Sequence, residues 1–122
     1  MATFIASMAY ELHPDTAPDA RKLLRAELAG RRWQERHNGP LMPAHTVWML
    51  RKAPDEHTTD EVHAACGQEL LAAVQAVTRM GKTIGLMRAW VQVSGGGTFG
   101  LVKVAKDGKE ASESPEGEER EG

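Results

Sequence analysis

The sequence predicts one small α+β domain, and three observations lead to that prediction. Short apolar segments with the composition of β-strands alternate with two segments whose apolar residues recur every three or four positions, as they do in helices. Apolar residues make up 41% of the 122-residue chain, which is enough for one hydrophobic core. The single cysteine, Cys66, excludes an internal disulfide and a cysteine zinc cluster.

The N-terminal part of the chain is predicted to form a strand followed by a helix. The segment from Thr3 to Leu12 is rich in apolar residues and contains neither glycine nor proline, which favours a strand. After it, either Asp15 or Thr16 is expected to cap a helix with Pro18 in its first turn. Gly30 is expected to end this helix.

Two further strands are predicted between the two helices. Residues 31–37 are expected to form a short edge strand, and Asn38-Gly39 after it has the composition of a tight turn. Residues 45–52, with the sequence HTVWMLRK, are predicted to form a strand that has apolar side chains on both faces.

The second helix has the strongest local signal in the sequence. Thr58 and Glu61 fit the Thr-x-x-Glu capping box, which satisfies the first free backbone N–H groups of a helix. Gly81 is expected to end this helix. The apolar stripe that should face the core recurs at spacings of four and three residues and comprises Val62, Cys66, Leu70, Val74 and Val77.

The C-terminal part is predicted to contain a strand at 82–93, a glycine-rich turn and a short additional strand at 101–104. Residues 105–122 are acidic and almost free of apolar side chains, so we expect a disordered tail there and a folded domain at 1–104. The N-terminus has neither a charged leader nor a long apolar run, which predicts a cytoplasmic protein without a membrane span.

The predicted order of elements is β-α-β-β-α-β with one additional C-terminal strand. This order is typical of the split βαβ, or ferredoxin-like, arrangement, in which two helices cover one face of an antiparallel sheet. Because several strands are apolar on both sides, the other sheet face also needs a cover, which is either a second copy of the chain or stacked nucleic-acid bases. We expect Phe4, Tyr10 and Trp90 to share that open face.

Charge is distributed unevenly along the chain. The net charge is −2, but residues 107–122 have a balance of −5, which leaves +3 on residues 1–106. Within that part, residues 21–52 contain eight bases and two acids, an excess of +6. Such a basic segment fits contacts with the phosphates of RNA or DNA, and it fits equally a solvated surface that resists aggregation.

Three short motifs carry a resemblance to a known family. The residues YELHP at 10–14 resemble the Tyr-Asp-Leu-His start of the small CRISPR-associated adaptation proteins called Cas-two, and look closest to their SinR-like relatives. Trp33 is similar to a tryptophan that the family often has after its first helix. HTVWMLRK is similar to the family's Ser-Thr-Trp strand, with a valine inserted after threonine. The order and approximate spacing match across residues 3–93.

The resemblance implies a ferredoxin-like homodimer that is associated with nucleic acid. In the family, the carboxylate that ends the first strand faces its twin across the dimer axis, where it is proposed to hold a divalent metal for phosphodiester hydrolysis. The related type V antitoxin ribonucleases share the fold and act on messenger RNA. The matching residue is Glu11, where the family has aspartate. Glutamate can bind Mg²⁺ or Mn²⁺ through oxygen, but its extra methylene displaces the carboxylate by about one bond length.

These observations leave three functions open. In a metal-dependent endoribonuclease or endonuclease, Glu11 would hold the metal and His13 would donate a proton or contact phosphate. The residues expected to contact backbone phosphates are Arg21, Arg25, Arg31 and Arg32. The alternative is a non-catalytic dimeric adaptor or antitoxin-like binding module, in which Glu11 is a solvated or salt-bridged strand-end residue. The third is a small-molecule sensor that uses the dimer as a ligand cleft.

Overall fold

The computed structural model describes residues 2–95 and 100–101, in which a three-stranded antiparallel sheet packs against two helices. The elements are, in chain order, β1 (Ala2–Leu12), α1 (Pro18–Gly30), β2 (Thr46–Ala53), α2 (Thr59–Arg79) and β3 (Leu86–Ser94). β1 lies at the centre of the sheet, between β2 and β3. The predicted α+β class is confirmed. Among the described residues, neither helix is long and apolar enough to cross a membrane.

The core lies between the helices and one face of the sheet. Every second residue of β1 is buried there, and these residues are Phe4, Ala6, Met8, Tyr10 and Leu12. They pack with apolar residues of both helices, including Leu24 and Leu28 of α1 and Val62, Cys66, Leu70, Ala73 and Val77 of α2. The predicted stripe on α2 therefore faces the core, with Val74 at its partly buried margin.

One prediction about the faces of the sheet is wrong. Phe4 and Tyr10 lie on the helix-covered face, and only Trp90 of the three lies on the open face. The reason is the register: Trp90 pairs with Ala9, a neighbour of Tyr10, and successive residues of a strand point to opposite faces.

The two helices begin differently. α1 starts after Ala17 without a side-chain cap, so the expected cap by Asp15 or Thr16 is wrong, whereas Pro18 does occupy the first turn. α2 has the predicted capping box: the Glu61 N–H donates to Thr58 Oγ1 at 3.2 Å, and the Thr58 N–H donates to Glu61 Oε1 at 2.8 Å.

α1 ends at Gly30, as predicted, and its C-terminus forms a Schellman motif. The Trp33 N–H donates to the Leu28 carbonyl and the Arg32 N–H to the Ala29 carbonyl, both at 3.0 Å. Arg32 has φ = 76°, a left-handed conformation that normally favours glycine. The chain thus leaves α1 with Trp33 in the core and an arginine at the strained position.

The expected edge strand at 31–37 is reduced to two isolated bridges. Gln34 pairs with Trp48 of β2, with N–H···O distances of 2.8 and 2.9 Å, and Arg36 pairs with Leu41 in the following loop. The first residues of this segment form the turn at Arg32 and bury Trp33 in the core, so few residues remain to pair with β2 as a strand. The Asn38-Gly39 turn is confirmed, because both residues have positive φ, 54° and 110°.

The third strand starts later than predicted. Residues 82–85 are not extended, and a register shift between Glu11 and Leu12 places Leu86 beside the core while Met87 is exposed. The additional strand predicted at 101–104 lies outside the described residues except for Leu101. The tail predicted at 105–122 lies entirely outside them.

Candidate functional site

The open face of the sheet exposes apolar side chains that no helix covers. Leu50 of β2 is 51% exposed and lies opposite Ile5 of β1, while Trp90 of β3 is 69% exposed. Trp48 is partly covered, because its indole N–H donates to the Arg36 carbonyl at 2.8 Å. This open face, formed around Ile5, Leu50 and Trp90, is the surface for which the sequence analysis predicted a cover.

Glu11 lies at the edge of the open face, where it pairs with an arginine. Arg88 is its direct neighbour in the register of β1 and β3, and the Arg88 guanidinium donates to the Glu11 carboxylate. The Glu11 side chain is 51% exposed and the Arg88 side chain is 74% exposed. The hydrogen bond to Glu11 raises the pKa of Arg88. Glu11 is therefore salt-bridged within one protomer, as the binding-module alternative expects.

The donor groups around Glu11 do not fit a complete magnesium site within one protomer. Mg²⁺ prefers six oxygen ligands in near-ideal octahedral geometry, commonly including one or two carboxylates. One oxygen of Glu11 is bonded to Arg88, a cation that competes with a metal for the carboxylate. Within residues 2–95 and 100–101, no three His, Cys, Asp or Glu side chains group as metal ligands. If the described residues alone form the site, a second carboxylate has to come from another copy of the chain.

His13 lies in the turn that follows β1, and Arg21 holds that turn. The His13 N–H donates to the Gly85 carbonyl at 2.7 Å, and the Asp15 N–H donates to His13 Nδ1 at 3.2 Å. The Arg21 guanidinium donates to the carbonyls of His13 and Thr16, each at 3.1 Å. Arg21 therefore positions the His13 turn, and these hydrogen bonds occupy two of its donor groups.

The other predicted phosphate-binding arginines have different partners. Arg25 donates two hydrogen bonds to Glu35, at 3.2 and 3.3 Å, and Arg31 pairs with Glu27 at 3.2 Å. Arg32 is exposed and makes no ion pair with a described residue. The predicted residues thus divide between the open face at Glu11 and the surface around α1, rather than forming one cluster.

Two residues of the candidate site were missed by reasoning from the sequence. Arg88 was not singled out as the partner of Glu11, because the register of β1 against β3 is not encoded locally. Glu35 was counted only as one of two acids in the basic segment, although it pairs with Arg25. The signal for both was an opposite charge on a neighbouring element, which becomes specific only after the elements are placed.

Comparisons with protein-family models, with curated proteins and with solved structures find no match to this chain. The likeness to Cas-two proteins therefore rests on the three short motifs alone. The function has to be argued from the surfaces and side chains described above.

Proposed function

We propose that this chain is a nucleic-acid-associated protein that acts as a homodimer of ferredoxin-like protomers. The observation that carries the proposal is the open face, where Leu50 and Trp90 are 51% and 69% exposed. They lie on the two flanking strands, on the same face of the sheet, and large exposed apolar side chains on one sheet face are typical of a surface that another molecule covers. A second copy presents the same apolar surface, so two open faces can pair in a two-fold symmetric interface.

The bridge between Gln34 and Trp48 supports the ferredoxin-like assignment. It lies at the outer edge of β2, in the chain segment between α1 and β2. In a βαββαβ domain, the second strand occupies that position. The proposed fold is thus a ferredoxin-like domain whose second strand is shortened to one bridged residue.

The cations on α1 and at its end support contact with nucleic acid. Lys22 and Arg32 are exposed and make no ion pair with a described residue, so both can meet phosphates without breaking an existing interaction. Arg32 keeps a cation at a strained backbone position where glycine would relax the chain. A residue that is retained against local stability is often one that serves function. Arg25 and Arg31 can contribute after they release their carboxylates.

A second candidate function is metal-dependent cleavage of RNA or DNA with Mg²⁺ or Mn²⁺. Glu11 favours it, since its carboxylate is 51% exposed at the edge of the face that a second copy would cover. That function requires a twin carboxylate from the partner copy and release of Glu11 by Arg88. The ion pair with Arg88 favours the non-catalytic adaptor or antitoxin-like module over the nuclease.

The homodimer is tested by placing a charge on the open face. We expect Leu50→Glu to convert the dimer into a monomer in sedimentation velocity, because two carboxylates would be buried in an apolar interface. Leu71→Glu is the matched control, since Leu71 is 54% exposed but lies on α2. A wild type that is monomeric at high micromolar concentration, or equal effects of both variants, would contradict the proposal.

The nucleic-acid function is tested with labelled single-stranded and double-stranded RNA and DNA. We expect binding that weakens steeply with salt concentration, since phosphate contacts release counterions. Cleavage in Mg²⁺ or Mn²⁺ that disappears in Glu11→Ala, with the dimer intact, would select the nuclease. Binding without cleavage would select the adaptor or antitoxin-like module. If the protein neither binds nor cleaves any of these nucleic acids, the proposed function is rejected.

A further inference from the structure

A cavity of about 290 Å³ lies on the helix side of the sheet, next to α1 and the loop that precedes β2. Its lining includes three aromatic side chains, Tyr10, Trp33 and His45, and one ion pair, Arg25 with Glu35. Small-molecule pockets usually have volumes of about 300–1,000 Å³ and combine a mostly apolar lining with a few polar groups. The cavity has the size and composition for one small planar ligand.

The aromatic wall of the cavity is held by a strained residue. The rings of Tyr10 and His45 are stacked, with centroids 5.2 Å apart and an interplanar angle of 26°. His45 has φ = 58°, and its carbonyl accepts the Tyr10 N–H at 3.0 Å. A left-handed conformation is strained at a residue other than glycine. Burial raises the pKa of the Tyr10 phenol, so it stays neutral at physiological pH.

The polar part of the cavity is the ion pair of Arg25 with Glu35, and a ligand can replace each residue as the partner of the other. Arg25 Nε and Nη2 donate to the two carboxylate oxygens of Glu35, at 3.2 and 3.3 Å. Charge-assisted hydrogen bonds are normally about 2.7–2.9 Å long, so this pair is loosely formed. The side chains are 54% and 41% exposed, and exposed pairs contribute little to stability. Opening the pair therefore costs little free energy.

We propose that this cavity binds a guanine base. Guanine is the standard base with two adjacent N–H donors, N1–H and N2–H, and these match the two parallel acceptors that Glu35 now offers to Arg25. The neighbouring O6 and N7 of guanine are acceptors that an arginine reads in a bidentate manner. The partly buried His45 ring, which stacks on Tyr10 at the cavity wall, supplies a π surface for the purine ring. Adenine presents an acceptor at N1, which the Glu35 carboxylate repels.

Titration of the full chain with nucleosides, followed by calorimetry and by NMR signals of the Tyr10 and His45 rings, tests the proposal. We expect saturable binding of guanosine, and binding at least tenfold weaker for inosine, which lacks the N2 amino group, and for adenosine. Glu35→Gln should weaken guanosine binding at least tenfold. Glu27→Gln is the matched control, because Glu27 pairs with Arg31 outside the cavity and should leave the affinity unchanged.

The guanine can belong to a free nucleotide or to an unpaired residue of a nucleic acid, and two probes distinguish these sources. If guanosine 5′-monophosphate binds as tightly as a single-stranded oligonucleotide with one guanine, the ligand is the free nucleotide. An oligonucleotide that binds at least tenfold tighter, with the same dependence on Glu35, assigns the nucleic acid. Equal binding of adenosine and guanosine, no binding of any guanine probe, or full binding by Glu35→Gln would overturn the proposal.

The guanine site does not depend on the proposed homodimer, because the cavity and the open face lie on opposite sides of the sheet. Leu50→Glu should therefore leave guanosine affinity unchanged even where it abolishes the dimer. Failure of one proposal is thus distinguishable from failure of the other.

Discussion

The two faces of the sheet are built from the same three strands but have opposite environments. On the helix-covered face, Met8 and Tyr10 of the central strand are 1% and 6% exposed. On the open face, Leu50 and Trp90 on the flanking strands are 51% and 69% exposed. Both faces carry apolar side chains, but the open face also carries polar ones such as Ser7, Arg88 and Gln92. The difference arises because the helices cover one face alone, which makes the first face a core and the second an available surface.

Two ion pairs, one on each side of the sheet, also differ in their exposure to solvent. On the helix side, Glu69 accepts the indole N–H of Trp33 at 2.8 Å and pairs with Arg51 at 3.0 Å. The Arg51 and Glu69 side chains are only 22% and 28% exposed, and the hydrogen bond to Glu69 raises the pKa of Arg51. The Glu11–Arg88 pair on the open face is far more exposed. A partly buried pair is costly to break, whereas an exposed pair can exchange partners.

The largest expected difference between the faces is in the free energy of unfolding. Leu70→Ala removes a side chain that is 2% exposed, and we expect a loss of about 2–5 kcal/mol from lost burial and the cavity left behind. Leu50→Ala should change stability by about 0.5 kcal/mol or less at protein concentrations where the chain is monomeric. Urea unfolding of both variants at low concentration measures the difference.

The same pair of variants also reports on the homodimer. At concentrations where a second copy covers the open face, Leu50→Ala should lower the unfolding midpoint and make it depend less on concentration, because it weakens the dimer that stabilises the folded state. Leu70→Ala should lower the midpoint equally at every concentration. An equal loss from both variants under all conditions would remove the distinction between the faces.

The next largest expected effect concerns the two glutamates. Glu69→Gln should destabilise the fold by about 1–3 kcal/mol, because it leaves the partly buried Arg51 without its charged partner. Glu11→Gln should leave the unfolding midpoint nearly unchanged, because its pair with Arg88 is exposed. Thermal unfolding at neutral pH compares them directly. A large loss in Glu11→Gln would give the open-face pair a structural role.

The parts of the fold that the sequence predicted are those with a local physical signal. The capping box of Thr58 and Glu61 needs only residues three apart, and the Asn38-Gly39 turn needs only two neighbours with positive φ. The apolar stripe of α2 follows from helical periodicity. Each of these signals acts within a few residues, so it is visible before any tertiary contact is known.

The parts that could not be predicted depend on distant pairing. Glu11 and Arg88 are separated by 77 positions, and their contact follows from the register of β1 with β3. The same register decides that Tyr10 lies in the core although Trp90 does not. α1 ends at Gly30 as predicted, but the left-handed residue of the turn is Arg32, which brings Trp33 into the core. Tertiary packing overrides the local preference there.

A smaller effect should separate stability from function at the end of α1. Arg32→Gly removes the strain at φ = 76°, so we expect a gain of about 0.5–1 kcal/mol in stability. It also removes an exposed cation, which should weaken nucleic-acid binding and reduce its salt slope by about one phosphate contact. Denaturant unfolding and binding at several salt concentrations measure the two effects.

Lys22→Gly is the matched control for Arg32→Gly. It removes the same charge, but from within α1, where glycine should cost about 0.5–1 kcal/mol rather than stabilise the fold. The two variants should therefore weaken binding alike while changing stability in opposite directions. Unchanged binding in both would remove these cations from the proposed nucleic-acid surface.

The smallest expected effect tests whether exposure, rather than the side of the sheet, decides the behaviour of an ion pair. Asp19 of α1 accepts a hydrogen bond from Lys82 at 2.7 Å, and that bond lowers the pKa of Asp19. A lowered pKa in the folded state means that Asp19 contributes stability above its unfolded value of about 4 and loses it as pH falls through the folded value. Asp19→Asn should therefore lower the thermal midpoint slightly at pH 7.

This small difference between wild type and Asp19→Asn should close as the pH falls below the lowered pKa of Asp19, and it should shrink in 1 M salt, as expected for an exposed pair. Asp19 also accepts a hydrogen bond from the Ala20 N–H in the first turn of α1. An asparagine side chain can accept that bond without a charge. A difference that persists at low pH would therefore show that Asp19 stabilises the fold through hydrogen bonding that asparagine does not reproduce. The pair would then behave like Glu69 and Arg51, and exposure alone would no longer explain the contrast between the ion pairs.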